Sequence, residues 1–475
     1  MKMKLNRHYF MLGTGLIFFI YIIIRAFTLS FTHDESLSYS LIIGDKTFTD
    51  TANNHILNTY LMQLCGILFG YSEFSLRLPN VSAFILYFLG GFLILKESKN
   101  IWLTLLGSSL MLFNPFLIDF FSLARGYGLS LGFMMMSLFF LLKRNLHYLS
   151  YSLLITDFIC TMAFAFAALF ANISTIAYFI ALLIIFIFQY LFLVIRKPIK
   201  SFLPHFMFAG ITLMTFVPIY FVAERFLLLN VKNELYFGEM TLTGTINSLL
   251  KQSIYFSHPP SWILMVMRYT LMICLASGIV WIIFKNDFSV NFLKMTILIV
   301  VVLTGLFLSH YLFNSKYPSG RAALFLIPVY GFFIFYFSSQ IIQSIDLKRQ
   351  PFMSVLLCFP VTLPLLLHFI ISLNLLKTHN WYFDAHTKDV MKIVEKYAHN
   401  SDRNLSISNH WLFEPSINYY ISSRKMKVNP TNRSGVDRST DFVYEFDENI
   451  SLENFKPLIK FPDIGTTLLI KEKHP

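Results

Sequence analysis

Long apolar runs constrain the fold of this chain more than any other feature of its sequence. Of its 475 residues, 56% are hydrophobic and only 13% are charged, and the mean hydropathy is +0.60. Soluble domains contain roughly 25% charged residues. A helix needs about 20 apolar residues to cross the hydrocarbon core of a bilayer, and many of the runs have that length. The composition predicts a mainly α-helical, polytopic membrane protein.

The lengths of the apolar runs predict about eleven transmembrane helices. The apolar segment 55–70 is shorter than a span, so we predict an amphipathic helix on the outer membrane interface. The first run is too long for a signal peptide and no small-residue cleavage site follows it, so it should remain as the first span. In residue numbers the predicted spans are 9–31, 78–95, 101–118, 129–142, 151–170, 173–195, 202–222, 263–284, 292–313, 322–342 and 352–373.

The distribution of Lys and Arg predicts the orientation. Cytoplasmic loops are rich in these residues, and every second loop here is basic. The opposite loops, with Asp34 in the first, should therefore face outward across a cell (inner) membrane. The net charge of +12 indicates orientation and not nucleic-acid binding, because no basic helix or aromatic-basic motif accompanies it. The basic residues concerned are Lys2, Lys4, Arg7, Lys96, Lys99, Lys143, Arg144, Arg196, Lys197, Lys200, Lys285, Lys294, Lys348 and Arg349.

The sequence divides into a transmembrane domain, 1–374, and a polar segment, 375–475, that is large enough for a small α/β domain. The same loop parity places this second domain outside the cell membrane. Apolar periodicity within it predicts helices at 387–397 and 415–421 and strands at 404–408, 441–446 and 466–471.

The four cysteines, Cys65, Cys160, Cys274 and Cys358, lie in apolar stretches without metal-ligand spacing. We expect buried, inert thiols, since neither a disulfide framework nor a zinc site is indicated.

Three outer loops carry nearly all the ionisable residues near the membrane, and they should converge if the helices form one bundle. Carboxylates there can remove a proton, while cations and a phenol can hold a phosphate. The first loop contains His33, Asp34, Glu35, Asn53, Asn54 and His55, the second contains Asp119, Arg125 and Tyr127, and the third contains Lys316, Tyr317 and Arg321.

In this order the residues resemble the GT-C glycosyltransferases, especially the bacterial relatives of protein O-mannosyltransferases and of the lipid A aminoarabinose transferase (family 39-like). The resemblance covers roughly the first 345 residues and is strongest over 25–127. The matching pieces are Arg25 ahead of His33-Asp34-Glu35, Gly70-Tyr71-Ser72-Glu73 with Arg77-Leu78-Pro79-Asn80, Ser122-Leu123-Ala124-Arg125-Gly126-Tyr127, and Ser319-Gly320-Arg321.

The resemblance implies transfer of a sugar from a polyprenyl-phosphate donor, with inversion, to an acceptor outside the membrane. Asp34 would deprotonate the acceptor, and Glu35 is the alternative base. A phosphate leaving group needs little protonation, so one carboxylate suffices where a glycosidase needs two. A protein, a lipid-linked glycan or lipid A would each suit as acceptor. The other implied roles are donor-phosphate binding by Arg125, Tyr127, Lys316, Tyr317 and Arg321, and substrate binding by His33, Asn54 and His55.

Two departures from the family pattern concern acidic residues. Relatives often have an acid in the second half of the first loop, where this chain has Asn53-Asn54-His55. No cofactor is therefore firmly implied, although a divalent metal ion held by Glu35, His55 and His33 is an alternative. Leu123 stands where many relatives have an acid, so the second acidic role would fall to Asp119.

The same residues have simpler interpretations. Arg25 either snorkels to the headgroups or lies near the site, and Arg125 with Tyr127 either anchors the interface or binds donor. Lys316 and Arg321 attract anionic lipids in general or bind the donor phosphate. The rival functions are a multi-span transporter or lipid-linked-sugar flippase and a non-catalytic assembly subunit. Charges clustered at one face favour the enzyme, because transporters usually carry them near the midplane.

Overall fold

The computed structural model describes residues 2–44, 51–144, 150–197, 201–232, 234, 237–285, 287–449 and 454–472. Up to residue 372 these residues form a helical bundle. Its helices are α1 (Lys2–Thr28), α2 (His33–Ile43), α3 (Ile56–Phe69), α4 (Glu73–Leu95), α5 (Ile101–Leu112), α6 (Pro115–Asp119), α7 (Gly126–Leu142), α8 (Tyr151–Ala171), α9 (Ile176–Arg196), α10 (Leu203–Met214), α11 (Phe216–Val231), α12 (Leu242–Ser253), α13 (Ser261–Phe284), α14 (Val290–Phe313), α15 (Leu326–Gln343) and α16 (Gln350–Ser372).

Nine segments in the described part of the chain are long and apolar enough to cross a membrane, and each matches one of the eleven predicted spans. The protein is therefore a multi-pass membrane protein, as the composition predicts. The nine segments are Arg7–Thr28, Glu73–Leu95, Tyr151–Ala171, Ile173–Arg196, Leu203–Val231, Ser261–Phe284, Val290–Phe313, Leu326–Gln343 and Gln350–Ser372.

The two remaining predicted spans fall on shorter helices, α5 with 12 residues and α7 with 17. The apolar run that includes α5 is broken because Asn114 caps a new helix, α6, that begins at Pro115. Most of α7 is buried, and it packs between α4 and α8. The total of eleven spans stays a prediction. The short helix predicted at 55–70 corresponds to α3, whose end exposes Ile67, Leu68 and Phe69.

The C-terminal segment forms a four-stranded sheet with two helices, α17 (Thr387–His399) and α18 (Glu414–Ser423). The strands are β1 (Ile407–Asn409), β2 (Phe442–Phe446), β3 (Phe455–Phe461) and β4 (Thr466–Lys471), in the order β1-β2-β4-β3. The first pair is parallel and the others are antiparallel.

Both helices and three of the strands match the predicted ones, although β1 lies a few residues beyond the predicted 404–408. Strand β3 was not predicted, because Lys456, Pro457 and Lys460 interrupt its apolar pattern. Such residues are typical of a sheet edge, which is where β3 lies.

The C-terminal helices share a second hydrophobic cluster with α2 and with parts of α3 and α4. The Phe31 ring stacks on Tyr419 with ring centroids 3.9 Å apart, and Tyr39 meets the same ring edge-on at 5.0 Å. Through these contacts α18 packs against α2. The helix that carries the first-loop carboxylates is therefore held between the bundle and the C-terminal segment. The division at residues 374 and 375 stays a prediction.

The four cysteines are free thiols. Cys358 is buried as predicted, whereas Cys65, Cys160 and Cys274 are half-buried, because the helices that carry them turn part of their surface away from the bundle.

Candidate active site

Helix α2 begins with a capping box that fixes the direction of its first turn. Thr32 is the N-cap, and the Glu35 carboxylate accepts a hydrogen bond from its backbone N–H at 2.9 Å. The first turn therefore presents His33, Asp34 and Glu35, all of them buried. Carboxylates are favoured there because the first backbone N–H groups of a helix lack partners within it.

Glu35 is fully buried, and both of its oxygens are occupied. Oε1 accepts hydrogen bonds from Arg77 Nε at 2.8 Å and from the Ala124 N–H at 2.6 Å. Oε2 accepts from Arg77 Nη2 at 2.7 Å as well as from Thr32. The other Arg77 donors bind the carbonyls at the end of α1. This carboxylate joins α1, α2, α4 and the loop before α7, and it has no free oxygen for a substrate.

Asp34 lies between two arginines from distant parts of the chain. Its Oδ2 is 3.0 Å from Arg321 Nη2 and 3.6 Å from Arg125 Nη2. Burial alone would raise the pKa of Asp34, but Arg321 and Arg125 outweigh it and lower the pKa to about 2. The carboxylate is therefore ionised at neutral pH.

Arg125 is the buried member of the arginine pair. It stands at the N-cap of α7 with none of its side chain exposed. Its Nη1 donates hydrogen bonds at 3.1 Å to the Asp34 carbonyl and to Ser38 Oγ, and its Nη2 donates to Asn53 Oδ1. These neutral acceptors hold the guanidinium in place independently of the Asp34 carboxylate.

Arg321 is the accessible member of the pair, with 32% of its side chain exposed. It lies in a 3-10 turn, Gly320–Ala323, and its guanidinium stacks over the Trp381 ring at 4.9 Å. Gly320 has a φ of +48°, in the left-handed region that favours glycine. The turn that places Arg321 beside Asp34 is therefore best formed with glycine at this position.

His55 lies near the two arginines, and both it and Asn54 have polar atoms without protein partners. His55 Nδ1 is 3.1 Å from the Ala171 carbonyl, which can only accept, so Nδ1 carries the proton and Nε2 has a lone pair. Burial, with Arg125 and Arg321 nearby, lowers the pKa of His55 well below 6.5 and keeps the ring neutral. In the described structure His55 Nε2 and Asn54 Nδ2 are buried without a hydrogen-bond partner.

Tyr127 completes this group. Its ring meets His55 edge-on, with centroids 4.6 Å apart, and Tyr127 lies close enough to Arg321 to act on it electrostatically. The structure therefore brings together Asp34, Asn53, His55, Arg125, Tyr127 and Arg321 from all three predicted loops, and Asn54 lies between Asn53 and His55 in the chain.

Asp119 belongs to a second charge cluster. Its oxygens accept hydrogen bonds from Arg25 Nη2 at 2.6 Å, from the Tyr255 hydroxyl at 2.8 Å and from the His379 N–H at 3.2 Å. Within the described residues, none of its polar partners is shared with Asp34. Arg25 also donates to the Asn374 and Lys377 carbonyls, so it fastens the chain after α16 and does not snorkel outward.

Three other predicted residues lie apart from Asp34. His33 faces the C-terminal segment, where its Nδ1 lies 2.7 Å from the Leu412 carbonyl. Tyr317 is buried, and its ring stacks on His310 at 4.5 Å. Lys316 is exposed, and its side chain lies against Gly238. Their predicted roles in binding substrate and donor phosphate have no support from this placement.

The residues around Asp34 do not fit a divalent metal ion. Glu35 has both oxygens occupied by donors, and Asp34 and His55 lie beside two guanidinium groups that repel a cation. Among the residues with described positions, no group of three or more His, Cys, Asp or Glu side chains is arranged to hold a metal. The site is arranged for an anion.

Several contributors were not among the predicted site residues. Arg225 donates to the Asn54 and Thr51 carbonyls at 2.7 and 3.3 Å and so holds the loop before α3. Arg77 precedes the predicted span 78–95 and Arg225 follows the predicted span 202–222. Basic residues are common at the ends of spans, so their positions gave no distinct functional signal. Trp381 and Asp384 come from the polar segment, where their residue types carry no such signal.

The comparisons with known proteins address the fold. No protein-family model and no curated protein matches the sequence. Among solved structures, the chain is similar to ArnT, an aminoarabinose transferase, from Cupriavidus metallidurans bound to undecaprenyl phosphate, with a TM-score of 0.52 and 11% identity over 97% of each chain. The apo form of the same protein gives 0.51 and 10%, again over 97% of each chain.

The chain has the GT-C fold. This confirms the predicted fold class, a membrane helical bundle with a small C-terminal α/β part. Identities of 10 and 11% establish architecture alone, so the activity must be argued from the site.

Proposed function

We propose that the protein is a membrane glycosyltransferase that moves a sugar from a polyprenyl-phosphate donor to an extracytoplasmic acceptor. The observation that carries this proposal is the position of Asp34 between Arg125 and Arg321 within a GT-C fold. The undecaprenyl phosphate in the similar ArnT structure supports a lipid-phosphate donor. On this proposal the site and the domain at 375–475 lie on the outer side of the inner membrane, beyond a transmembrane domain at 1–374.

The two arginines bind the donor phosphate in different ways. Arg321 is the partly exposed cation, so it meets the incoming phosphate first, and Arg125 lies behind it with its geometry already fixed. Hydrogen bonds from a guanidinium to phosphate are short and strong because both partners are charged.

Asp34 is the proposed base, because Glu35 has no free oxygen. With a pKa of about 2 it is a weak base while both arginines face it. A bound phosphate competes for Arg321, and loss of this ion pair raises the affinity of Asp34 for a proton. Donor binding thus prepares the base.

The reaction then follows from these positions. Asp34 removes the proton from an acceptor hydroxyl or amine, whose lone pair attacks the anomeric carbon of the donor sugar. The bond from that carbon to the phosphate oxygen breaks, and the polyprenyl phosphate leaves with the electron pair. Its charge is already stabilised by the arginines, so no second acid is needed, and attack opposite the leaving group inverts the anomeric centre.

His55 and Asn54 supply the remaining polar contacts. The neutral His55 Nε2 accepts a hydrogen bond from a sugar hydroxyl, and Asn54 Nδ2 donates one. Both atoms are buried without partners in the described structure, and a polar ligand would satisfy them.

The test is a mass-spectrometric comparison of envelope glycans and glycoproteins from cells with and without the gene. One glycan signal should disappear without the gene and return with the wild-type protein. Asp34→Asn should fail to restore it. The matched control is Asp157→Asn, which removes a different buried carboxylate, paired with Arg144 at 2.7 Å, and should restore it. Full restoration by Asp34→Asn, at membrane levels equal to wild type, would contradict the proposal.

A further inference from the structure

The chain between α1 and α2 is held by the C-terminal segment. Ser30 Oγ donates to the Ala385 carbonyl at 2.8 Å, and the Phe31 N–H donates to the Tyr420 hydroxyl at 2.8 Å. The His33 N–H donates to Asp384 Oδ2 at 2.7 Å. The backbone N–H groups of Phe31 and His33, close before Asp34, thus find their acceptors more than 340 positions away in the chain.

Asp384 is the carboxyl member of this group, and it is buried with 1% exposure. Its Oδ1 accepts hydrogen bonds from Ser416 Oγ at 2.9 Å and Thr387 Oγ1 at 3.4 Å, which fix the carboxyl group within its own segment. Its Oδ2 then reaches the first turn of α2, where backbone N–H groups have no partner inside the helix.

We propose that Asp384 is a positioning residue: by capping α2 from the C-terminal segment, it sets where the Asp34 carboxylate lies between Arg125 and Arg321. This inference rests on the proposed function in one respect, namely that Asp34 is the base. It gives the C-terminal segment a role in the chemical step, in addition to any role in choosing the acceptor.

The physical reason is that Asp34 follows the capped residue directly. A change in the start of α2 moves the carboxylate relative to Arg321, whose position is fixed separately by its own turn and by Trp381. A misplacement of about 1 Å at a reacting group can reduce a rate about 100-fold.

Two substitutions of Asp384 distinguish a role in positioning Asp34 from a loss of overall stability. Asp384→Ala removes the cap. Asp384→Asn keeps an oxygen that can accept from His33 N–H, while its amide group can donate to Ser416. The matched control is Asp441→Ala, because Asp441 also accepts hydrogen bonds within the C-terminal segment, from Ser406 and Arg403. Among the described residues it forms no side-chain hydrogen bond with α1 or α2.

The first measurement is amide hydrogen exchange of the full-length protein in detergent micelles over residues 30–40. We expect Asp384→Ala to exchange at least about 10-fold faster there than the wild type, with Asp384→Asn and Asp441→Ala close to it. Unchanged amide hydrogen exchange in Asp384→Ala would contradict the claim that Asp384 caps α2. This measurement needs no activity, so it remains decisive even if the protein transfers no sugar.

The second measurement is the rate of transfer to the acceptor named by mass spectrometry. Asp384→Ala should lower kcat about 100-fold with little change in KM for the donor, and Asp384→Asn should recover most of the rate. Equal losses in Asp384→Ala and Asp441→Ala would overturn the positioning role. If the wild-type protein shows no transfer activity, the proposed function and the positioning role are both overturned. The hydrogen bond from His33 to Asp384 is then still tested by the hydrogen-exchange measurement.

Discussion

The first turn of α2 carries two adjacent carboxylates in opposite surroundings. Glu35 is fully buried and each of its oxygens accepts two hydrogen bonds. Asp34 is shared between two arginines, one of which reaches solvent, and polar atoms without partners lie beside that pair. A buried ion pair whose donors and acceptors are all satisfied stabilises the fold. A pair with unsatisfied polar atoms beside it can still form hydrogen bonds with a ligand.

The Arg25–Asp119 pair resembles the Arg77–Glu35 pair, because its carboxylate is also occupied by protein donors. Asp119 accepts hydrogen bonds from three residues, and Arg25 binds backbone carbonyls after α16. Both pairs join segments far apart in the chain, and we expect both to matter for stability more than for transfer.

The largest expected effect is on stability and comes from the satisfied pair. Glu35→Gln leaves the Arg77 guanidinium buried without a counter-charge, which should lower the free energy of unfolding by about 3–5 kcal/mol. Asp34→Asn should cost less, about 1–3 kcal/mol, since Arg321, the nearer of its two partners, reaches solvent. Thermal midpoints of the purified variants in one detergent measure the difference. Equal losses of stability in the two variants would show that Glu35 and Asp34 contribute to the fold in the same way.

The next effect concerns the donor phosphate. Arg321→Ala should weaken the binding of undecaprenyl phosphate by about 10- to 100-fold, as expected for loss of about 1.5–3 kcal/mol from a charged hydrogen bond. Lys316→Ala is the matched control, because this exposed cation of the same loop should change the affinity less than about 2-fold. Equal losses in the two variants would mean that general attraction by the basic loop, and not the Asp34 site, binds the lipid.

The smallest effect is a pH dependence of stability. Burial raises the pKa of Asp384 to about 8, against hydrogen bonds from His33 and Ser416 that lower it. Because the pKa rises on folding, Asp384 stabilises the fold at low pH, and this contribution is lost as the pH rises through about 8. The thermal midpoint should therefore fall as the pH rises from about 5 to about 8 in the wild type, level off above pH 8, and fall less in Asp384→Asn. A steeper fall in the variant would contradict the assignment.

Sequence patterns predicted the features that depend on local composition. Nine spans follow from the length of apolar runs, and the convergence of Asp34, Arg125 and Arg321 follows from placing three loops on one side. The loop assignment used charge parity, which is a local property of each loop. The fold class was therefore accessible without coordinates.

Side-chain direction was not accessible in the same way. His33 and Asp34 are neighbours, yet successive helix residues point about 100° apart, so one faces the C-terminal segment and the other faces the arginines. Tyr317 and Arg321 share a loop, but a 3-10 turn that begins at Gly320 separates their directions. The pairing of Asp119 with Arg25 depends on how α1 and α6 pack, which no single stretch of sequence encodes.

The most direct test of the central claim is the affinity of purified Asp34→Asn for undecaprenyl phosphate, compared with wild type. If Asp34 and the donor phosphate compete for Arg321, removing the carboxylate charge should tighten binding by about 10-fold while transfer is lost. Binding in Asp34→Asn that is unchanged or weaker, or transfer that persists, would contradict an active site built on Asp34, Arg125 and Arg321.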